Sequence, residues 1–167
     1  MKKLHDTCLA GKKKNRQKGA TLIEILVAML ILSFGLLGMA ALQARALKGN
    51  QSAMQRTQAV LMSYYILDAM RVDRDSAKST DYNTGSLSGT TIGAICNPAA
   101  ITGTSLSENN KRHWIESLKT TIGKDGDTTT CGAILCDADG ICQIQVSWDD
   151  SRAGGLGAQI VNTHTKL

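Results

Sequence analysis

Residues 18–42 read KGATLIEILVAMLILSFGLLGMAAL. From Ala20 to Leu42 this stretch contains 23 residues and one charged side chain, that of Glu24. A helix rises about 1.5 Å per residue, so this one would be about 34 Å long, enough to cross a hydrocarbon core of roughly 30 Å. Because helices in soluble cores seldom stay apolar on every face over such a length, the stretch predicts a transmembrane helix.

The basic residues are concentrated before this apolar stretch. Residues 1–19 contain seven Lys or Arg and one Asp, whereas residues 20–167 contain 12 basic and 13 acidic side chains. This asymmetry predicts a cytoplasmic N-terminus, with the residues after about position 45 on the other side of the membrane. The net charge of +5 therefore belongs to a short arm, and the nearly neutral remainder argues against binding of nucleic acid.

Two other interpretations of the apolar stretch stay open. It could be a buried core helix of a soluble protein. It could also be an ordinary cleavable secretory signal, since an A-x-A-like triplet follows it at residues 44–46. The apolar region of a secretory signal is normally about 7–15 residues long, and this one is longer.

Glu24 is the residue of the stretch that most needs an explanation. A carboxylate at membrane depth costs on the order of 2.5–3.5 kcal/mol on insertion scales, and such a residue is a functional candidate by default. The apolar stretch itself contains no cation to pair with it. A cut just before Ala20 would create a new α-amino group four residues from Glu24.

The residues from Lys18 to Ala28 resemble the prepilin signal of type IV pilins and of type II secretion pseudopilins. The resemblance rests on a basic leader, a Gly, the run T-L-I-E and a long apolar segment. It implies that a membrane-bound prepilin peptidase cuts after Gly19 and methylates the new N-terminus at Ala20. It also implies that Glu24 pairs with the N-terminal amine of a neighbouring subunit.

The chain departs from the major pilins in three ways. Ala20 stands where most members have Phe or Met, the apolar stretch contains no Pro, and the leader of 19 residues is longer than usual. Only Gly35 and Gly38 weaken the apolar helix. These departures favour a minor pilin or a pseudopilin.

The hydrophobic pattern and the resemblance together predict an α+β fold. It is the type IV pilin-like lollipop, in which a long N-terminal helix, first transmembrane and then amphipathic, packs on a small antiparallel sheet head. We expect the helix to run from about Thr21 to Asp75. The predicted regions are a cleaved prepilin leader at 1–19, the transmembrane half of the helix at 20–42, its amphipathic half at 43–75, and a disulfide-stapled head at 76–167.

Local patterns predict the elements of the head. Ser105 and Glu108 fit a capping box, which predicts a second helix over about 106–122 with Trp114 and Leu118 packed on the sheet. Alternating apolar residues predict strands, separated by turn-forming residues. The predicted strands are a short one at Thr91–Cys96, a hairpin of Ala133–Cys136 and Ile141–Trp148, and a last strand at Ala158–Asn162.

The cysteines indicate an oxidising compartment. Cys8 lies in the leader, and four remain in the head: Cys96, Cys131, Cys136 and Cys142. An even number on the non-cytoplasmic side predicts two disulfides, for which three pairings are possible. We favour Cys136–Cys142 across the hairpin and Cys96–Cys131. Zinc binding is the rival interpretation, although no C-x-x-C pair is present.

Nothing in the sequence indicates catalysis. The three His, at positions 5, 113 and 164, are not arranged with Ser or Cys as a nucleophile would require. The acidic loops at 125–127 and 137–140 do not complete a calcium-binding loop, and plain turns are the simpler interpretation. We therefore expect no enzyme activity, no cofactor and no metal.

The chain also contains the run Gly-Leu-Leu-Gly-Met at 35–39, an early Gln43, a predicted helix around Trp114 and a predicted strand from Cys142 to Trp148. With these features most of the chain resembles the minor pilins called type IV pilus modification protein PilV. This resemblance implies a subunit for pilus assembly or initiation, twitching motility or adhesion, in the bacterial inner membrane and then in the fibre at the cell surface. The implied partners are the prepilin peptidase, other minor pilins, the major pilin and a tip adhesin. The alternatives are an I-type minor pseudopilin of a type II secretion system and a competence pilin that captures nucleic acid.

Overall fold

The computed structural model describes residues 19–151, 154–155 and 157–167. Of the predicted leader, only Gly19 is among them. The chain divides into two compact units, Met1–Leu42 and Gln43–Leu167. We refer to residues 20–42 as the apolar segment and to Gln43–Leu167 as the globular unit, and describe each by itself.

The first element is the long helix α1, Leu22–Val72, of 51 residues. It ends three residues before the predicted position, because Asp73 leaves the helical conformation with φ −112° and ψ 55°. The Asp73 carboxylate accepts hydrogen bonds from Ser76 Oγ (2.7 Å) and Tyr82 Oη (3.2 Å). A separate short helix, α2 (Arg74–Lys78), follows at once.

The strands form two antiparallel groups. β1 (Leu87–Ser88) and β2 (Thr91–Ile92) make a small ribbon. The main sheet has the order β3-β4-β5. Its strands are β3 (Cys131–Cys136), β4 (Ile141–Asp149) and β5 (Ala158–Lys166). The predicted α+β class, with a long N-terminal helix and a small antiparallel sheet, is confirmed; β5 is longer than predicted, and the expected strand at Thr91–Cys96 reaches only Ile92.

The helix α3, Leu106–Thr121, begins and ends within one residue of the predicted bounds. Both hydrogen bonds of the capping box between Ser105 and Glu108 are present. Trp114 is fully buried and its indole N–H donates to the carbonyl of Met62 on α1 (2.9 Å). A Cβ at Gly132 would collide with the Trp114 ring. Because Gly132 of β3 has no side chain, α3 can lie close to the sheet at this position.

One core of the globular unit lies between α1, α3 and the main sheet. Burying a large aliphatic or aromatic side chain of this kind stabilises the fold by about 1.5–3 kcal/mol. The residues of this core that are at most 1% exposed include Ala59, Ile66, Leu67, Met70, Trp114, Ile115, Leu118, Ile134, Ile144 and Val146.

Gln145 behaves differently from the other residues on its face of β4. The alternation along β4 places it opposite the apolar residues, yet it is only 5% exposed. Its Oε1 accepts the N–H of Ile92 (3.0 Å) and its Nε2 donates to the carbonyl of Thr90 (2.8 Å). The side chain of Gln145 thus links both backbone groups of the β1–β2 turn region to the outer face of the main sheet.

Candidate processing and assembly segment

The predicted processing site lies immediately before α1. Gly19 and Ala20 are exposed and outside the helix. The carbonyl of Thr21 accepts the backbone N–H of Glu24 (3.1 Å) and that of Ile25 (3.3 Å), and its Oγ1 also receives the Glu24 N–H (3.4 Å). Ala20 is therefore two residues before the first helical residue, and the junction Gly19–Ala20 is exposed.

Thr21 acts as the cap of α1. The sequence pattern indicates this role, but it was not among the predictions above. T-x-x-E is the spacing of a capping box, with Thr21 as cap and Glu24 as the third helical residue. The same four residues thus start the helix and follow the predicted cleavage site directly. A cap of this type stabilises a helix by about 1 kcal/mol.

Glu24 lies in the first turn of α1 and is exposed. The positive end of the helix dipole favours a carboxylate there by about 0.3–1 kcal/mol. Among the residues that the structure describes, no basic side chain forms an ion pair with it. This carboxylate is thus available to a cation from outside the described chain.

The apolar segment has no core of its own. Every residue from Leu22 to Leu42 is exposed, with Leu22 at 76% and Leu42 at 69%. Within this segment the hydroxyl of Ser33 donates a hydrogen bond to the carbonyl of Met29 (2.7 Å), so this polar group has a partner inside the helix. Among the described residues, α1 is the one helix long and apolar enough to cross a membrane.

A second exposed apolar surface lies on α1 within the globular unit. Leu47, Met54, Leu61 and Tyr65 are exposed by 69%, 60%, 57% and 49%. Spacings of seven, seven and four residues place them within an arc of about 40°, at 100° per residue. We call these four residues the α1 stripe. Such a narrow apolar line is typical of a helix seam that packs against another helix.

The four cysteines of the globular unit form two disulfides. One joins Cys96 to Cys131 and the other joins Cys136 to Cys142, the pairing favoured above. Cys136 and Cys142 are directly opposite each other on β3 and β4, so this bridge closes the hairpin. With the cysteines oxidised, these sulfurs are not available as metal ligands.

The ionisable groups of the globular unit that the structure describes include two exposed histidines and the buried Lys111. In residues 19–151, 154–155 and 157–167, no group of three or more His, Cys, Asp or Glu could hold a metal ion. His113 is exposed beside Glu116, with 3.2 Å between Nδ1 and Oε2, and His164 is exposed on β5. Burial lowers the pKa of Lys111, whose ammonium donates to the carbonyl of Asp81 (2.7 Å).

Comparison with known proteins bears on the N-terminal part of the chain. Residues 14–40 match the family model described as the prokaryotic N-terminal methylation motif. The chain carries a prepilin signal. No curated protein and no solved structure matches the chain.

The methylation motif, together with the long apolar helix, supports a protein of the type IV pilin or pseudopilin kind that is anchored in a membrane. It implies processing by a prepilin peptidase and assembly with other pilins. It also indicates a structural subunit rather than an enzyme.

Proposed function

We propose that this protein is a minor pilin, a structural subunit that takes part in the assembly or initiation of a type IV pilus. The observation that carries the proposal is the methylation motif at the start of the exposed apolar segment, which has one carboxylate in the first turn of α1. Cleavage follows Gly19, and Ala20 receives the methyl group. The subunit resides first in the bacterial inner membrane, with its N-terminus cytoplasmic and the globular unit periplasmic.

Assembly makes use of both exposed surfaces of α1. The apolar segment loses its lipid environment when subunits leave the membrane, and packing against the helices of neighbours replaces it. The α1 stripe extends such packing into the globular unit. In this process the Glu24 carboxylate pairs with the new N-terminal amine of a neighbouring subunit, because the attraction between opposite charges is strong away from water.

Ala20 at the first mature position and the absence of Pro in the apolar segment support a minor pilin or a pseudopilin over a major pilin. The four cysteines of the globular unit favour the pilus protein over the pseudopilin, and the likeness to PilV rests on the run Gly35–Met39, Gln43 and the Trp114 helix. Other minor pilins and the major pilin are the expected neighbours, with a tip adhesin as a further partner. The near-neutral charge of residues 20–167 speaks against capture of nucleic acid.

The proposal is tested by substituting Glu24 in a strain that lacks its own copy of the gene. We expect Glu24→Ala and Glu24→Gln to be inserted and cleaved normally but to restore few surface pili. Glu24→Asp should restore them in part, because it keeps the charge on a shorter side chain. Surface pili are counted by electron microscopy, and membrane levels of the processed chain are measured alongside.

Glu24→Gln is the informative control, because it keeps the size and hydrogen-bonding capacity of the side chain and removes only the charge. Normal piliation with this variant at normal protein level would show that the subunit docks by packing alone. A pseudopilin carries the same motif, so export of type II secretion substrates is measured in the same strains. Loss of secretion with intact pili would assign the chain to the secretion system instead.

A further inference from the structure

The part of α1 that follows the apolar segment carries basic groups and no acidic ones. Between Glu24 and Asp68 the sequence contains no Asp or Glu, and its basic residues are Arg45, Lys48 and Arg56. All three are exposed. Basic residues that flank a transmembrane helix are usually concentrated at its cytoplasmic end, so those at this end need an explanation.

Arg45 and Lys48 have no partner for their charges within the described protein. Among residues 19–151, 154–155 and 157–167, neither the guanidinium of Arg45 nor the ammonium of Lys48 makes a hydrogen bond or an ion pair. Further along the chain, by contrast, Arg71 is 2.7 Å from the carboxylate of Asp68, and Arg74 donates to the carbonyl of Leu167 (2.7 Å). The charges of Arg45 and Lys48 are therefore available to an anion from outside the described chain.

The loop that follows β4 holds the side chain of Lys48. This loop is fastened to α1 by Asp150, which is 2% exposed and accepts one hydrogen bond on each oxygen, from Ser52 Oγ (2.8 Å) and from the N–H of Gly157 (2.9 Å). A Cβ at Gly154 of the same loop would be 2.5 Å from Cδ of Lys48. The aliphatic stem of Lys48 therefore lies against the loop backbone, which restricts its rotamers and reduces the entropy lost when the ammonium binds a ligand.

Arg45 and Lys48 are placed to hold one anion together. Side chains three residues apart lie on the same face of a helix, with Cβ atoms about 5–6 Å from each other. A guanidinium can form two parallel hydrogen bonds to a phosphate, and an ammonium adds a compact positive charge. The pair can thus contact different oxygens of a single phosphate group.

The position of the pair in the sequence indicates which phosphate this is. Arg45 and Lys48 follow Leu42, the last residue of the apolar segment, by three and six residues. That number of helical residues corresponds to about 4.5 and 9 Å, and the headgroup region of a bilayer extends roughly 5–8 Å beyond the hydrocarbon core on each side. Long basic side chains can also bend towards the headgroups. When the apolar segment spans a membrane, both charges therefore lie at the level of the lipid phosphates.

We propose that Arg45 and Lys48 bind the phosphate group of an anionic phospholipid in the leaflet next to the globular unit. Arg56 does not take part, because it is eleven residues beyond Arg45, about 17 Å further along α1 and outside the headgroup region. The inference rests on anchoring by the apolar segment and not on the role of a minor pilin. It gives the two residues a task in the membrane subunit before assembly.

Photochemical labelling of the full chain tests the proposal. The protein is reconstituted in phosphatidylcholine nanodiscs that contain a phosphatidylglycerol with a diazirine on its headgroup, and labelled peptides are quantified by mass spectrometry. We expect labelling of residues 43–50 in wild type. Arg45→Gln/Lys48→Gln should lower it about five- to 25-fold, because each basic residue near an anionic surface contributes a factor of about five. Labels on the basic arm map to residues 1–19 and are counted separately.

Three controls separate recognition of the lipid from net charge. Arg56→Gln/Lys124→Gln removes the same two charges from other exposed positions of the globular unit and should label residues 43–50 like wild type. Arg45→Lys/Lys48→Arg keeps both charges and should retain the labelling. A phosphatidylcholine probe with the same diazirine should label these residues at least about fivefold less than the anionic probe. Correct folding of each variant is checked by the absence of free thiols among the four cysteines of the globular unit.

Two results would overturn the inference. One is equal labelling of residues 43–50 in wild type and in Arg45→Gln/Lys48→Gln, and the other is equal labelling by the two probes. If the double variant is labelled like wild type but restores few surface pili, the two cations serve a neighbouring subunit instead of a lipid. Because the labelling uses single subunits in nanodiscs, its failure leaves the Glu24 experiment and the proposed function untouched.

Discussion

Asp127 shows how a single residue can organise a loop. Its carboxylate accepts backbone N–H groups from Lys124 (2.8 Å), Thr129 (2.9 Å) and Thr130 (2.6 Å). Its Oδ1 is 3.3 Å from the ammonium of Lys119, and both side chains are under 10% exposed. Burial alone would raise the pKa of Asp127, but these hydrogen bonds, chiefly those of Thr130 and Lys124, outweigh it and hold the pKa well below its ordinary value.

We expect Asp127→Asn to destabilise the globular unit by about 2 kcal/mol, because it weakens charged hydrogen bonds and leaves Lys119 without its counter-charge. A folded-state pKa below the unfolded value stabilises the fold above about pH 4, and this contribution is lost as pH falls towards the folded pKa. The difference in Tm from wild type should therefore be large at pH 7 and shrink below about pH 4. Thermal unfolding followed by circular dichroism over this pH range measures it.

Asp125→Asn is the matched control for Asp127→Asn. It makes the same chemical change in the same loop, but Asp125 is exposed. Its Tm should stay close to that of wild type at every pH. Equal losses for the two variants would mean that net charge, not the hydrogen bonds of Asp127, determines the stability.

Among the elements, the ribbon of β1 and β2 makes two hydrogen bonds to one side chain of another strand, Gln145. Replacing Gln145 by Ala leaves the buried N–H of Ile92 and the carbonyl of Thr90 without their partners, which costs about 1–3 kcal/mol for each buried group left unpaired. We expect Gln145→Ala to lower the midpoint of denaturant unfolding and to speed hydrogen exchange at Ile92. Gln143→Ala, two residues away on the same face of β4, should leave both unchanged.

The elements that could be predicted from sequence are those with a local signal. α3 has a capping box and an apolar face, and the hairpin of β3 and β4 has alternation around a turn with Gly140 at φ 80°. The ribbon was predicted only in part. β2 lies within the strand expected at Thr91–Cys96, but its pairing with β1 and its contact with Gln145, 53 positions from Ile92 in the chain, have no local signal. β5 extends to Lys166 through pairing with β4, although its own apolar alternation stops near Asn162.

The functional features, too, divide into those with a local sequence signal and those that depend on the fold. The processing motif is contiguous, so Gly19, Ala20 and Glu24 are recognisable without a structure. The contact of Gly154 with the stem of Lys48 could not be recognised in this way, because the two residues are far apart in the chain. It depends on the path of the loop after β4 and not on the residues around Lys48.

For the whole molecule, the proposed cleavage also changes the net charge. Cleavage after Gly19 would remove seven basic residues and one acidic residue, and would leave 148 residues with a net charge of −1. A basic arm sets the orientation of insertion and is no longer needed once the apolar segment spans the membrane. The membrane subunit is therefore expected to be nearly neutral, although the precursor is basic.

We predict that Gly19→Val leaves the uncleaved precursor in the inner membrane. Among the described residues beyond its chain neighbours, a Cβ at Gly19 would meet no atom within 4 Å. The substitution should therefore not disturb α1, and its effect should come from the fit of the junction to the peptidase. Gly11→Val, the same substitution elsewhere in the leader, should be cleaved normally. The N-terminus of the membrane form is determined by intact-mass measurement. The wild-type chain should begin at a methylated Ala20. A chain beginning at Leu47 would show that ordinary signal peptidase removes the apolar segment and that the subunit is not anchored by it.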